Sequence, residues 1–170
     1  VEFPTWAPLA LELKTQFDYP IVFDCLDDFT SFGNVIKERE KEESFLISSS
    51  DLVLATSSYL LKKVMNKTKK SLFLPNAGEF GHFNKAENGF LKFKKPIIGY
   101  FGSISDWFDT DLIEYLATKR PKFTFVMIGH TFGADIRKFQ ELPNVHFLGE
   151  RPYSELPKYL HDFDVCLIPF

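Results

Sequence analysis

The residues best placed to do chemistry are polar residues and glycines that each follow a short apolar run. They are Asp27-Asp28, Thr56-Ser57, Gly102-Ser103, Gly129-His130, Gly149-Glu150-Arg151 and Pro169-Phe170. If those runs are parallel strands, all six stretches lie at carboxyl ends, where open α/β sheets bind their ligands. No G-x-G-x-x-G follows any run, and there is no G-x-x-x-x-G-K-[ST] loop, so the usual dinucleotide and nucleotide cradles are not expected. No G-x-S-x-G elbow supports serine hydrolysis.

Metal chemistry finds little support. His82, His130, His146 and His161 are scattered, without the i, i+4 spacing that would set two imidazoles on one helix face. Two D-x-D triplets occur, Asp109-Thr110-Asp111 and Asp162-Phe163-Asp164, and such pairs can hold a divalent ion on a diphosphate. Each also has a structural reading: the first opens a helix, where carboxylates favour the dipole, and the second precedes a strand. No metal site is expected. Cys25 and Cys166 sit inside apolar runs and far apart, which predicts two buried free thiols in a reducing compartment.

The elements that must position these residues alternate. Helical spacing over 8–17 precedes a strand at Ile21–Phe23, and a charged helical pattern over 35–50 precedes a strand at Leu52–Ala55. A helix over 58–66 and a strand at Leu72–Leu74 follow, then the Pro75–Gly78 turn. Residues 84–95 have no clean period and read as a linker. The rhythm resumes with strand Ile97–Phe101, a helix over 110–119, strand Phe123–Ile128, a short helix over 134–140 and strand Val145–Leu148. Ser154 is expected to cap a helix over 155–161 ahead of a last strand, Val165–Ile168. Short continuous apolar strands between helices predict parallel sheets covered on both faces.

Four stretches in this order carry a family resemblance: DLVLATSSYL…LFLPNAGEFGHF (51–83), PIIGYFGSISDWFD (96–109), FTFVMIGH (123–130) and LPNVHFLGERPYSELPKYLHDFDVCLIPF (142–170). The chain resembles retaining, family-4-type glycosyltransferases of the GT-B fold (glycosyl transferases group 1) over roughly residues 19–170. The resemblance implies an α/β fold of Rossmann-like parallel βαβ units belonging to two domains. Residues 1–86 would be the second half of an acceptor-binding domain, 87–95 a linker, and 96–170 the first half of a donor-binding domain. The chain is expected to be incomplete at both ends and not a competent catalyst by itself.

The implied reaction moves a sugar from a nucleotide-diphosphate donor to a glycan or lipid acceptor with retention and without a metal. The donor is a substrate, and no cofactor is expected. The donor would meet Gly102 and Ser103 with its diphosphate, Gly129 and His130 near the nucleoside, and Arg151 and Tyr153 at the base side. Asp27 and Asp28 would face the acceptor. Side by side with these roles stand plainer ones: turn glycines, a capping or solvated aspartate pair, a surface Arg151 paired with Glu150 or Glu155. Trp107 and Phe108 are either core or a wall of the sugar pocket. The chain departs from the family where an Arg and a Lys commonly follow the first donor-domain strand. It has Ser103 there, with Asp106, Asp109 and Asp111 close behind. A non-catalytic nucleotide- or glycan-binding module and a sugar-nucleotide epimerase are the alternative readings.

Bulk composition agrees with a globular chain. Of 170 residues, 45% are hydrophobic and 25% charged, and 20 are Phe, enough aromatic bulk to close a sizeable core. The net charge of −3 argues against a nucleic-acid partner. Val1–Ala10 lacks a basic stretch ahead of an apolar one, so no signal peptide is expected, and no apolar run is long enough to cross a bilayer. Polysaccharide or lipid-linked glycan assembly in a bacterial cytoplasm is what the resemblance implies. Peripheral membrane contact through Lys62, Lys63, Lys67, Lys69 and Lys70 stands beside a solvated helix end as the reading of that cluster.

Overall fold

The fold comes from a computed structural model that describes residues 1–29, 37–85 and 89–170. The chain divides into two compact units, Val1–Gly78 and Glu79–Phe170.

In the first unit a 3-10 turn at Pro4–Trp6 leads into α1 (Ala7–Phe17). Then come β1 (Val22–Cys25), α2 (Lys37–Ser49), β2 (Leu52–Ala55), α3 (Ser58–Met65) and β3 (Ser71–Phe73). The three strands are parallel in the order β1-β2-β3. Period-2 alternation sorts their side chains. Phe23, Cys25, Val53 and Ala55 are fully buried against Leu46 and Ile47 of α2 and Leu60 and Val64 of α3. The opposite face keeps Val22 and Leu72 exposed. Here the expectation of a sheet covered on both faces fails among the described residues. Ser57 caps α3 by accepting from the Leu60 N–H, as its place before the helix predicts. The predicted helix over 35–50 is seen as Lys37–Ser49, and residues 35–36 lie outside the described ones.

The second unit opens with a short helix, α4 (Phe80–Phe83), just ahead of the stretch 84–95 whose sequence shows no period. The sequence boundary at residue 86 falls later than the observed division. The predicted linker residues 87–88 lie outside the described chain. Next come β4 (Ile97–Phe101), α5 (Thr110–Lys119), β5 (Thr124–Ile128), β6 (Val145–Gly149), α6 (Leu156–Leu160) and β7 (Val165–Cys166). All pairings are parallel, in the order β6-β5-β4-β7. The chain thus steps outward from β4 through β5 to β6, then returns to the other side of β4.

This sheet is covered on both faces, and period 2 again assigns the residues. Ile98, Tyr100, Phe125 and Met127 pack with Ile104, Phe108, Ile113 and Phe139 on one side. Ile97, Val126 and Ile128 pack with Tyr159 on the other, joined by Phe93 and Phe163. Gly99 permits the second layer: a Cβ there would lie 2.1 Å from the Phe163 ring. Phe108 therefore belongs to the core, at 4% exposure, while Trp107 stays 47% exposed.

Several expectations are corrected. No helix forms over 134–140; the segment is turns, and only Phe139 and Gln140 donate backbone bonds to the Ile136 carbonyl. Asp135 instead takes both the Arg137 guanidinium, at 2.8 Å through Nε and Nη2, and the Arg137 N–H. A local carboxylate competing for backbone donors disfavours helix. Ser154 caps nothing. It lies in a 3-10 turn, Tyr153–Glu155, and three residues on, where a capped N–H would be, stands Pro157, which has none. The last strand stops at Cys166, whose thiol is exposed rather than buried. Cys25 is buried as expected, and burial, first, with Glu43 nearby pushes its thiol up to about 11.

Candidate functional site

A cavity of about 280 Å³ opens at the carboxyl ends of β4, β5 and β6. Its lining includes Gly102, Ser103, Gly129, His130 and Arg151, five of the six predicted donor residues, with Glu150 and Leu156 beside them. The strands bring them together because each residue follows the last one or two of its strand.

The backbone explains both glycines. Gly102 and Gly129 take φ of +151° and +146°, and a Cβ on Gly129 would lie 1.8 Å from the Gly102 carbonyl oxygen. The two loops touch, backbone to backbone, where no side chain fits. Their N–H groups are engaged: Gly102 donates to the Ile128 carbonyl at 2.9 Å and Gly129 to that of Gly149 at 3.0 Å. The ladder runs on past the strands, with Ile104 N–H donating to His130 O at 2.9 Å. The glycines therefore shape the cavity floor and offer no donor of their own.

Ser103 does. Its carbonyl accepts from the Tyr100 hydroxyl at 2.8 Å, while its N–H and its own hydroxyl have no partner among the described residues. Burial pushes the Tyr100 phenol up, keeping it the donor in that bond. Arg151 is exposed and forms no ion pair among the described residues, so pairing with Glu150 or Glu155 is not seen. His130 is exposed as well. One serine, one imidazole and one guanidinium thus converge on a space shaped by glycines, which suits an anion.

Tyr153 stands apart. Its ring stacks on His82 at 4.7 Å and meets Phe83 edge-on at 5.7 Å, and its hydroxyl donates to Glu79 at 2.7 Å. That bond, above all, raises the phenol. It anchors α4 on this unit, helped by His161 bonding the Phe83 carbonyl at 2.9 Å.

The acidic run is less hostile to an anion than its sequence suggests. Asp109 turns into α5 and accepts from the Leu112 N–H at 2.8 Å, and Asp111 pairs with Lys138 at 2.6 Å. Asp106 alone of the three makes no side-chain bond among the described residues. The other D-x-D triplet is engaged too. Asp162 takes the N–H groups of Gly89 and Leu91, and Asp164 takes the Ile97 N–H and Lys95. Among the described residues no cluster of three or more metal-ligating side chains forms.

In the first unit, Asp27 is exposed, with its carbonyl 3.9 Å from the Cys25 thiol. Asp28 is bound to Lys63 at 2.8 Å and accepts from the Tyr59 hydroxyl at 2.9 Å. Lys63 also pairs at 2.8 Å with Glu43, which is 1% exposed. Burial alone would lower the Lys63 ammonium, but the bonds to Asp28 and Glu43 outweigh it and hold it above its ordinary value. The helical pattern over 35–50 gave no sign that Glu43 faces inward. The lysine cluster is likewise divided, since Lys63 points into this network and Lys67 donates to Ser44.

A second recess, about 420 Å³, includes Gly102 and Phe170, two of the strand-end residues singled out in the sequence. Gly99–Gly102, Cys166, Leu167, Ile168 and Phe170 line it between β4 and β7, where the strand order reverses. That reversal is where doubly wound sheets hold ligands, so it continues the candidate site. The signal was present in the strand order but needed the register of β7.

The class these features define is an α/β protein of Rossmann-like units with an anion-receptive cavity at the strand ends of one unit. Comparison with known proteins agrees. No family model matches the chain. Its sequence is 26% identical over 171 residues to a Bacillus subtilis (strain 168) protein named, provisionally, as teichuronic acid biosynthesis glycosyltransferase TuaH; the match covers 88% of this chain and 43% of TuaH. Among solved structures, Anabaena HepE in complex with UDP and glucose superposes with a TM-score of 0.76 at 14% identity, covering 96% of this chain and 50% of HepE. S. aureus TarM, in complex with Fondaparinux, alpha-GlcNAc-glycerol and UDP, superposes at 0.66 with 15% identity over 96% of this chain and 34% of its own. The chain therefore has the fold of GT-B glycosyltransferases and spans half the length or less of these relatives.

Proposed function

We propose that this chain is part of a glycosyltransferase that takes its sugar from a nucleotide-diphosphate donor, with unit Glu79–Phe170 holding the donor and unit Val1–Gly78 facing the acceptor. The observation that carries the reading is the cavity at the ends of β4, β5 and β6, where Ser103, His130 and Arg151 meet beside two touching glycine loops. HepE bound to UDP-glucose and TarM bound to UDP make a uridine diphosphate sugar the first donor to test. A glycan acceptor fits the name of TuaH and the TarM complex.

Leaving-group stabilisation falls to this chain's own donors. The Ser103 N–H and hydroxyl and the Arg151 guanidinium would take the diphosphate charge as the glycosidic bond to it breaks. We extend the proposal to a metal-independent reaction, supported by the structural bonds that engage Asp109, Asp111, Asp162 and Asp164. Retention of configuration and a hexose donor rest on the family resemblance. The non-catalytic alternative drew on the acidic run, and it loses part of that support because Asp109 and Asp111 are both engaged.

Titration of the chain with UDP-glucose, followed by calorimetry, tests the reading. Saturable binding is expected, unchanged by a chelator, and weakened about tenfold or more by Arg151→Ala, the loss of a charge-assisted contact. Absence of saturable binding at millimolar nucleotide, or binding indifferent to Arg151→Ala, would sink the assignment.

A further inference from the structure

A further recess of the second unit lies elsewhere. It measures about 490 Å³ and is lined by Gly81, His82 and Lys85 of the α4 segment and by Ser154, Pro157 and Lys158 of the α6 segment. We propose that this recess is a second anion site, built for a phosphate group.

The lining carries two ammonium groups, an imidazole and a hydroxyl, and no carboxylate among the described residues. Neither Lys85 nor Lys158 has an ion-pair partner among those residues, whereas Lys14, Lys63, Lys95 and Lys138 each hold a carboxylate. In a chain of net charge −3, two unpaired lysines on one recess leave a local positive field. Lys158 is steadied by the Phe90 ring, 5.7 Å from its Nζ, which leaves the charge unneutralised.

His82 is held in place. Its ring is stacked on Tyr153, and its Nε2 lies 3.1 Å from the Tyr153 carbonyl. A carbonyl only accepts, so Nε2 carries the proton there and Nδ1 is left for a ligand. In the imidazolium form Nδ1 donates to an anion. Two point-charge lysines with a hydroxyl and an imidazole suit the tetrahedral oxygens of a phosphate. A planar carboxylate is better met by an arginine fork, and no arginine lines the recess.

The recess is distinct from the cavity at the strand ends. Glu150, Arg151 and Leu156 line that cavity, and Ser154, Pro157 and Lys158 line this one. The proposal needs only the recess, and it stands whether or not the strand-end cavity takes a nucleotide sugar. The phosphate would belong to a phosphorylated sugar or acceptor.

The test follows the His82 ring and the Gly129 amide by NMR in the whole chain. The probes are inorganic phosphate, glucose 1-phosphate and UDP-glucose, applied to the parent and to Lys85→Ala/Lys158→Ala. Saturable movement of the His82 ring is expected, weakened tenfold or more in the double variant, with the Gly129 response to UDP-glucose unchanged. Movement with glucose 1-phosphate but not UDP-glucose assigns the site to a phosphorylated sugar or acceptor. Joint movement of His82 and Gly129 with UDP-glucose alone would overturn a separate phosphate site, because the anion would then be the donor's diphosphate. No movement of His82 with any of the three, or movement that the double variant leaves intact, overturns the proposal. A silent Gly129 with a responsive His82 would count against the donor reading only.

Discussion

Gly129→Ala is the sharpest perturbation available in the second unit. The new methyl would lie 1.8 Å from the Gly102 carbonyl oxygen and 2.8 Å from its carbon, both backbone atoms without a rotamer to yield. Relief requires one loop to move by more than an ångström. Such movement strains the bonds from Gly102 N–H to Ile128 and from Gly129 N–H to Gly149, each contributing about 1 kcal/mol. The φ of +146° adds roughly 1–3 kcal/mol for a residue with a Cβ. Together the cost is about 3–5 kcal/mol, a large part of the roughly 5–15 kcal/mol that holds an ordinary domain folded. Gly149→Ala is the control. Its φ is +70°, but a Cβ there meets nothing within 4 Å, so the cost is the left-handed backbone alone, roughly 1–2 kcal/mol. Urea unfolding reads the difference. The chain has two tryptophans, Trp6 in the first unit and Trp107 in the second, so a Trp6→Phe background makes fluorescence report the second unit. If Gly129→Ala costs no more than Gly149→Ala, the two loops do not touch as described, and the shape assigned to the cavity floor is wrong.

Two further outcomes follow from buried charge. Lys63→Met leaves Glu43 buried without a cation and should cost about 3–5 kcal/mol in urea, while Lys63→Met/Glu43→Leu recovers most of it; equal losses in the two would show the pair to be dispensable. Asp162 is 2% exposed; burial would raise its carboxyl, but the N–H groups of Leu91 and Gly89 prevail and hold it below its ordinary value. A carboxyl lowered by folding adds stability above its unfolded pKa of about 3.9, and that share is lost as pH falls further through the folded value. Acid unfolding of the second unit should therefore steepen below about pH 4, and Asp162→Asn should flatten that limb; an unchanged limb refutes the role given to Asp162.

What was legible in the sequence depended on whether neighbours along the chain held the information. Ile97–Phe101 and Thr110–Lys119 are visible because a continuous apolar run follows Pro96 and an aspartate opens the helix. The residues at the strand ends were legible for the same reason, since parallel strands carry their loops to one edge. The 134–140 segment misled because its apolar residues have helical spacing, while the Asp135–Arg137 pair that defeats a helix shows only in three dimensions. Tyr153 looked like a donor contact by position in its loop. Its engagement with Glu79 and His82 depends on α4, more than seventy residues away, and no local pattern announces it.

The two sheets show why strand ends alone do not make a site. Both units are parallel, and both place polar residues after their strands. In the first, Asp27 stays exposed but the rest of the polar end is closed on itself: Asp28 holds Lys63 and Tyr59, and Lys63 holds the buried Glu43. An incoming ligand would have to displace charge-assisted bonds, each contributing about 1.5–3 kcal/mol. In the second, the Ser103 N–H and hydroxyl and the Arg151 guanidinium have no partner among the described residues, and of the nearby acids Asp109 and Asp111, though not Asp106 or Glu150, are drawn away by the Leu112 N–H and Lys138. A ligand there replaces only water. The same topology thus yields one end that orders its own chain and one that stands ready for an anion, and side-chain pairing, not strand order, makes the difference.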